Sequence, residues 1–276
     1  MEKFYLQLYS LGMGNWTPTR ENLTEIARMG YSGVEPCMSD YGGFSAEDFL
    51  ELLNELGLSC PSSHMKVDEI APNLEFMARI GVRYPTVSSH PFSTREEVLE
   101  LAKLLNENGA LAAEYGMKVA YHNHDREFNS FDELYALELL IRNTNPETVA
   151  FELDCGWCAA AGADPAELLC KYPGRFFGVH VREKGSVTGP GKMTKPGAPS
   201  PMQAMSPEER EAFLKKRAEQ QKHGVRAGQG LVDWTKIKQI AAQTGIEYFV
   251  VERDSEYNGQ SRLACLADDA NFLRQL

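Results

Sequence analysis

The chain is predicted to fold as an α/β protein of the (β/α)8 TIM barrel class. It forms one domain over residues 1–276, with an inserted loop and helix after the seventh strand. Three observations carry this expectation. An amphipathic helical stretch that ends in a small turn and feeds a short β-rich run recurs along the chain. The β-rich runs number eight, and eight parallel strands joined by helical crossovers close into a barrel without an exposed edge. No glycine-rich phosphate loop follows the first run. LGMGNW holds Gly12 and Gly14 without the rest of that fingerprint, which argues against a doubly wound open sheet.

In chain order, FYLQLYS is the first strand. ARMG leads into YSGVEPC, NELG into LSCPSSH, ARIG into VRYPTVSSH, and AEYG into MKVAYHNH. NPETVAFELD and YPGRFFGVHVR supply the sixth and seventh strands, and AQTG leads into IEYFVVERD as the eighth. Gly30, Gly57, Gly81, Gly116 and Gly245 stand where a helix C-terminus favours a residue tolerant of left-handed geometry. The rhythm breaks over about residues 185–226. A Gly-, Pro-, Ser- and Met-rich stretch there is followed by SPEEREAFLKKRAEQQKHG, read as a helix with Ser206 as N-cap, Pro207 in the first turn and Glu209 closing the capping box. Loops after barrel strands lie over the active-site mouth, so this insertion is expected to be a lid or a subunit contact in a homo-oligomer, with a plain surface insertion as the alternative. Lys215, Lys216 and Arg217 read as a solvated helix face.

Composition narrows the function. With 276 residues, 43% of them hydrophobic, one large core is within reach. No run approaches the roughly 20 apolar residues of a membrane span, and the N-terminus lacks the pattern of a signal peptide, so a cytoplasmic protein without a membrane partner is expected. The six cysteines (Cys37, Cys60, Cys155, Cys158, Cys170 and Cys265) are dispersed rather than spaced as a disulfide framework. A net charge of −11 repels a polyphosphate backbone, so nucleic acid is not an expected partner and a small molecule is.

Barrel strands are buried on both faces, so ionisable residues within them are costly unless paired or bound to metal. Four strands end in such residues: His122-Asn123-His124, Glu152-Leu153-Asp154, His180-Val181-Arg182 and Glu252-Arg253-Asp254. The two-residue side-chain period turns His122 and His124 inward together, and likewise Glu152 with Asp154, His180 with Arg182, and Glu252 with Asp254. Imidazoles and carboxylates gathered from four consecutive strands suit one divalent ion of the Mn, Fe, Co or Zn type, with Mg less suited because it favours more oxygen ligands. His64 and His90 end strands three and four without carboxylates beside them in sequence, and are assigned to substrate contact or structure. Trp157 could stack on the apolar face of a sugar or simply pack. Arg182 and Lys184 follow His180 and could hold a carboxylate, phosphate or enolate oxygen. Cys155 and Cys158 have redox-pair spacing, but the sixth strand of eight is the wrong context for that chemistry.

The motifs YHNHDREF, ELDCGWCAAAGADP, GVHVREKG, GQGLVDW and VVERD resemble the xylose isomerase-like barrel superfamily, in its sugar phosphate isomerase/epimerase branch. The resemblance implies a metal held by Asp154, His180 and Glu252, with His122 where the family places a strand-five glutamate. In the epimerases of that family two opposed glutamates exchange a proton, so this chain has an imidazole in place of one of them. The expected activity is a metal-dependent isomerase or epimerase acting on a sugar through an enediolate. Glu252 would be the base, His122 or His124 would serve the other face, and Glu127 and Arg182 would complete the shell. A dehydratase or lyase on a keto-sugar, inosose or 3-keto-glycoside is the alternative, and a non-catalytic sugar-binding subunit is a third reading.

Overall fold

The computed structural model describes residues 3–12, 14–197, 205–221, 225–257 and 259–276, with the side chains of 217–221 outside the description. Eight parallel strands form one sheet: β1 (Phe4–Gln7), β2 (Gly33–Glu35), β3 (Ser62–Met65), β4 (Tyr84–Val87), β5 (Val119–His122), β6 (Val149–Asp154), β7 (Phe176–Val181) and β8 (Tyr248–Val251). Each neighbours the next in sequence, and β8 pairs with β1. The remaining seam, between β2 and β3, is closed by a parallel bridge from Gly33 to Ser59 and by hydrogen bonds from Val34 N to Ser59 O (2.9 Å) and His64 N to Pro36 O (2.8 Å). Gly33 is required there, since a Cβ would stand 2.0 Å from the Ser59 carbonyl oxygen. The eightfold strand expectation therefore holds, as a nearly closed barrel.

The helices alternate with the strands, most of them with an apolar face against the barrel and several with a side-chain N-cap, whereas the described side chains of 207–216 are exposed. They are α1 (Arg20–Arg28), α2 (Ala46–Glu55), α3 (Ile70–Arg79), α4 (Arg95–Ala113), α5 (Ala136–Arg142), α6 (Cys155–Ala160), α7 (Pro165–Lys171), α8 (Pro207–Gln221), α9 (Trp234–Thr244) and α10 (Arg262–Gln275). Thr19, Ser45, Thr94 and Ser261 cap α1, α2, α4 and α10 through their hydroxyls, each satisfying a backbone N–H that the helix itself leaves unpaired. The five glycines expected at helix ends all take positive φ, between 66° and 86°. Inward-facing aliphatic and aromatic side chains of these helices meet the outer faces of the strands in one continuous core.

Within the insertion, α8 begins as expected: Glu209 N donates to Ser206 Oγ (3.2 Å) and Ser206 N donates to the Glu209 carboxylate (2.8 Å). Lys215 and Lys216 are exposed, while the Arg217 side chain lies outside the described residues. Before α8, the chain leaving β7 crosses neighbouring loops. Thr188 N and Gly189 N both donate to the Ala160 carbonyl (2.8 and 3.0 Å), and Asn129 Nδ2 donates to the Gly191 carbonyl (2.8 Å). Among the described residues no helix is long and apolar enough to cross a membrane.

Candidate metal and active site

The strand register sets the site. His122 on β5 pairs with Glu152 on β6, and Asp154, two residues on, pairs with His180 on β7. β7 carries an extra residue opposite the Phe151–Glu152 step, a bulge that re-aims the end of the strand. Asn123 lies between these levels, donating to the Asp154 carbonyl (3.3 Å) and accepting from Asp154 N (3.0 Å), which extends the sheet's bonding one step past β5. Arg253 turns the other way, to a buried carboxylate on α10: Nη2 lies 2.6 Å from Asp269 Oδ1. The alternation read from the sequence places these side chains on the expected sides.

His122, Asp154, His180 and Glu252 each offer one ligand atom, and those atoms lie within 4.8 Å of one another, all buried. A mixed set of imidazole and carboxylate donors with these distances could hold a divalent ion. Beneath them is a second layer. Glu152 Oε2 lies 2.8 Å from His64 Nε2, 3.2 Å from His122 Nδ1 and 2.9 Å from His180 Nε2, and Glu35 Oε1 lies 3.1 Å from His64 Nε2 and 3.0 Å from His180 Nε2. Glu35 is itself held by Gln7 Nε2 (2.7 Å) and by the Ser62 hydroxyl. His180 is thus bridged, with Nδ1 2.9 Å from Glu252 Oε2 and Nε2 on the lower carboxylates. Carboxylates on the far nitrogens of ligating imidazoles fix their tautomer and ring orientation.

Electrostatics separates the four histidines. Burial works against charge on His180 and His64, yet the Glu152 and Glu35 carboxylates outweigh it and raise both, His180 well above the ordinary imidazole range. His122 is lowered, by burial and then by His180. His124 falls well below the ordinary range through burial, His122 and Arg126, and its buried Nδ1 has no hydrogen-bond partner. Burial opposes the charge of Glu152 and Glu252 as well, but the facing imidazoles hold Glu152, and Arg182 with His180 hold Glu252, well below the usual carboxylate range. Arg182 is the cation at the rim. Its guanidinium reaches Asp154 Oδ2 (2.7 Å), Glu252 Oε1 (2.6 Å) and Asp254 Oδ2 (2.8 Å). Gly156 makes room for this arrangement, since a Cβ there would meet the Arg182 carbonyl oxygen at 2.5 Å.

Other expected site residues fall differently. His64 does have carboxylates beside it, Glu152 and Glu35, which closure of the barrel brings from β6 and β2. His90 is not at a strand end: β4 stops at Val87, and His90 sits three residues on in the loop before α4. Glu127 is spent locally, accepting from Tyr121 Oη (2.8 Å), His124 N (2.8 Å) and Arg126 Nε (3.0 Å), so it shapes the loop that carries His124. Trp157 borders the site, with the Lys184 ammonium 3.7 Å from its ring centre and the His124 ring 6.0 Å away; cations lie against the ring where a sugar was expected. Cys155 and Cys158 are free and buried, and burial pushes both thiols up, so neither is an activated nucleophile.

The xylose isomerase-like TIM barrel family matches residues 23–276. The chain belongs to this family. The xylose isomerase-like barrel is also recognisable in solved structures. A sugar phosphate isomerase/epimerase from Parabacteroides distasonis ATCC 8503 superposes with a TM-score of 0.77 at 20% identity, covering 100% of this chain and 99% of that one. A 3-keto-D-glucoside 4-epimerase from E. coli gives 0.67 at 15% identity, with complete coverage of both chains. These identities speak for the fold. An inosose dehydratase of Clostridium tetani (strain Massachusetts / E88) is 36% identical over 99 residues, which is 36% of this chain and 33% of that protein. The chain thus aligns with about a third of the length of such relatives.

Within this xylose isomerase-like barrel, sequence reasoning set Glu152 among the inward strand-end groups without giving it a role, and passed over Glu35. Their signal was present: a carboxylate flanked by Val34 and Pro36 in a buried strand, and one flanked by Phe151 and Leu153 in another. Such groups are unaffordable without partners.

Proposed function

We propose that this chain is a sugar isomerase or epimerase that removes a proton from the carbon beside a carbonyl. The observation that carries the reading is the meeting, at one barrel mouth, of the donor set His122, Asp154, His180 and Glu252 with His124, whose buried Nδ1 has no partner. A bound divalent ion of the Mn, Fe, Co or Zn type would polarise the substrate carbonyl. His122, Asp154, His180 and Glu252 would hold it, and Glu152 and Glu35 would orient the two imidazoles from below.

Glu252 takes the proton, and His124 gives or receives one on the other side. For Glu252 to accept a proton, Arg182 must release its Oε1 and move to the substrate oxygen on which charge develops, an exchange of one oxygen anion for another. Lys184 and Trp157 flank that position, and the chain over 185–191 serves as a lid. On this reading His64 supports the lower layer through Glu35 and Glu152, and His90, in the loop after β4, would be a substrate contact.

A second reading, dehydration of a keto-sugar or inosose, draws support from the identity with inosose dehydratases. It uses the same first step, followed by loss of the hydroxyl on the next carbon as water, with the proton taken by Glu252 returned to it. The test is turnover in deuterated water with the Mn-loaded protein and a panel of ketoses, keto-glycosides and inososes. Deuterium in an isomerised or inverted sugar supports the first reading, an unsaturated product the second, and neither incorporation nor an unsaturated product with any substrate overturns both.

A further inference from the structure

His122 and His180 each turn one nitrogen up and one down. Upward, His180 Nδ1 lies 2.9 Å from Glu252 Oε2, and His122 Nε2 lies 3.9 Å from Asp154 Oδ2. Downward, His180 Nε2 and His122 Nδ1 join His64 Nε2 around a single carboxylate oxygen, Glu152 Oε2, at 2.9, 3.2 and 2.8 Å respectively. Glu35 Oε1 closes the group, 3.1 Å from His64 Nε2 and 3.0 Å from His180 Nε2. His64, His122, Glu152 and His180 are all buried, and each brings a ligand atom within 4.8 Å of the others, as the upper donors do.

Hydrogen bonding alone leaves this lower group short of protons. Five N···O contacts of 3.2 Å or less converge in it, and three imidazole nitrogens supply at most three protons. Glu152 Oε2 takes three of those contacts, while its other oxygen, also buried, has no partner among the described residues. A cation at the centre would be met by all these lone pairs at once. Tetrahedral coordination with bonds of about 2.0–2.1 Å sets donors about 3.3 Å apart, and three imidazoles with one carboxylate suit Zn. Mn favours more ligands and more oxygen, which a set sealed from solvent does not offer.

We propose that His64, His122, Glu152 and His180 form a second cation site, selective for Zn, and that an ion seated there excludes one from the upper set. A neutral imidazole has one lone pair to give a metal. When His122 and His180 ligate below, their upper nitrogens therefore carry protons and turn to Asp154 and Glu252 as donors. Zn becomes an inhibitor that acts from beneath the working ion, and this rests on the upper set as that ion's seat, as proposed above. The upper set has two imidazoles and the lower three, so X-ray absorption at the zinc edge tells them apart. The parent protein, stripped with a chelator and given one equivalent of Zn, should show three imidazoles around the metal, and Zn should displace bound Mn with one ion per chain throughout. Asp154→Ala, which breaks the upper set alone, should keep Zn while losing Mn, and adding His64→Asn should then weaken Zn by about tenfold or more. Two imidazoles around the Zn of the parent, Zn and Mn held together as two ions per chain, or Zn held as tightly by the folded double variant as by Asp154→Ala overturns the proposal. A parent that holds Zn on three imidazoles but never takes Mn would instead contradict the proposed function, since the upper set would then hold no working ion.

Discussion

Arg182 Nη2 lies 2.6 Å from Glu252 Oε1, so the carboxylate proposed to take a proton is clamped by the strongest cation of the site. The same guanidinium serves Asp154 and Asp254, and removing it strands three acidic groups in a buried cluster. Arg182→Met should lower the stability of the metal-free protein by about 3–5 kcal/mol, the usual cost of breaking a buried ion pair. A bound cation offsets stranded negative charge, so Mn should raise the melting temperature of the variant more than that of the parent. Equal melting temperatures for the two metal-free proteins would show that the clamp contributes nothing.

Glu152 is the shared support of His122 and His180, and its replacement by Gln turns an acceptor of imidazole N–H groups into a partial donor at the same place. Metal affinity should fall about 10- to 100-fold, the range seen when such supporting carboxylates are lost. Competition against a chromophoric chelator measures this, with circular dichroism to establish that the barrel is intact. A Glu152→Gln protein that folds and binds metal as the parent does would show that the two imidazoles are oriented by other contacts.

The sequence made the barrel legible because its signals are local: helix caps such as Thr94 with Glu97, left-handed glycines such as Gly81, and β-rich runs of the right length. The upper part of the site was legible for the same reason, since strand parity alone turns His122, Asp154 and His180 to one side. The lower layer was not. Glu35 meets His180 across 145 residues of chain, and only closure of the barrel between β2 and β3 brings His64 and Glu35 to Glu152. His90 was misplaced because SSHP repeats the look of SSHM, although the strand before it ends at Val87. Trp157 could not be read as ringed by cations without knowing that Lys184 folds back over α6.

Away from the mouth, the paired Arg253 and Asp269 tie the end of β8 to α10. Asp269→Ala leaves a buried guanidinium without its counter-charge and should cost about 3–5 kcal/mol in denaturant unfolding. Metal affinity should not move, because Arg253 points away from the donor set. A matching loss of metal would mean that the end of β8 shifts as one body with Glu252.

The thiols separate by exposure. Burial pushes Cys155 and Cys158 up and keeps them protonated, whereas Cys170 is exposed. A disulfide reagent at pH 8 should label Cys170 rapidly and reach the other two only on unfolding, and a Cys155→Ser, Cys158→Ser protein should keep most of its turnover. Fast labelling of either thiol in the folded protein would reopen a redox role for the pair.

The central question is whether the four buried donors form a metal centre. Elemental analysis of the protein after loading with Mn and desalting, alongside an Asp154→Ala protein of unchanged circular dichroism, addresses it directly. One ion per chain in the parent and a stoichiometry near zero in the variant is the expected result; parent and variant carrying the same amount of metal, or neither retaining any, would contradict it.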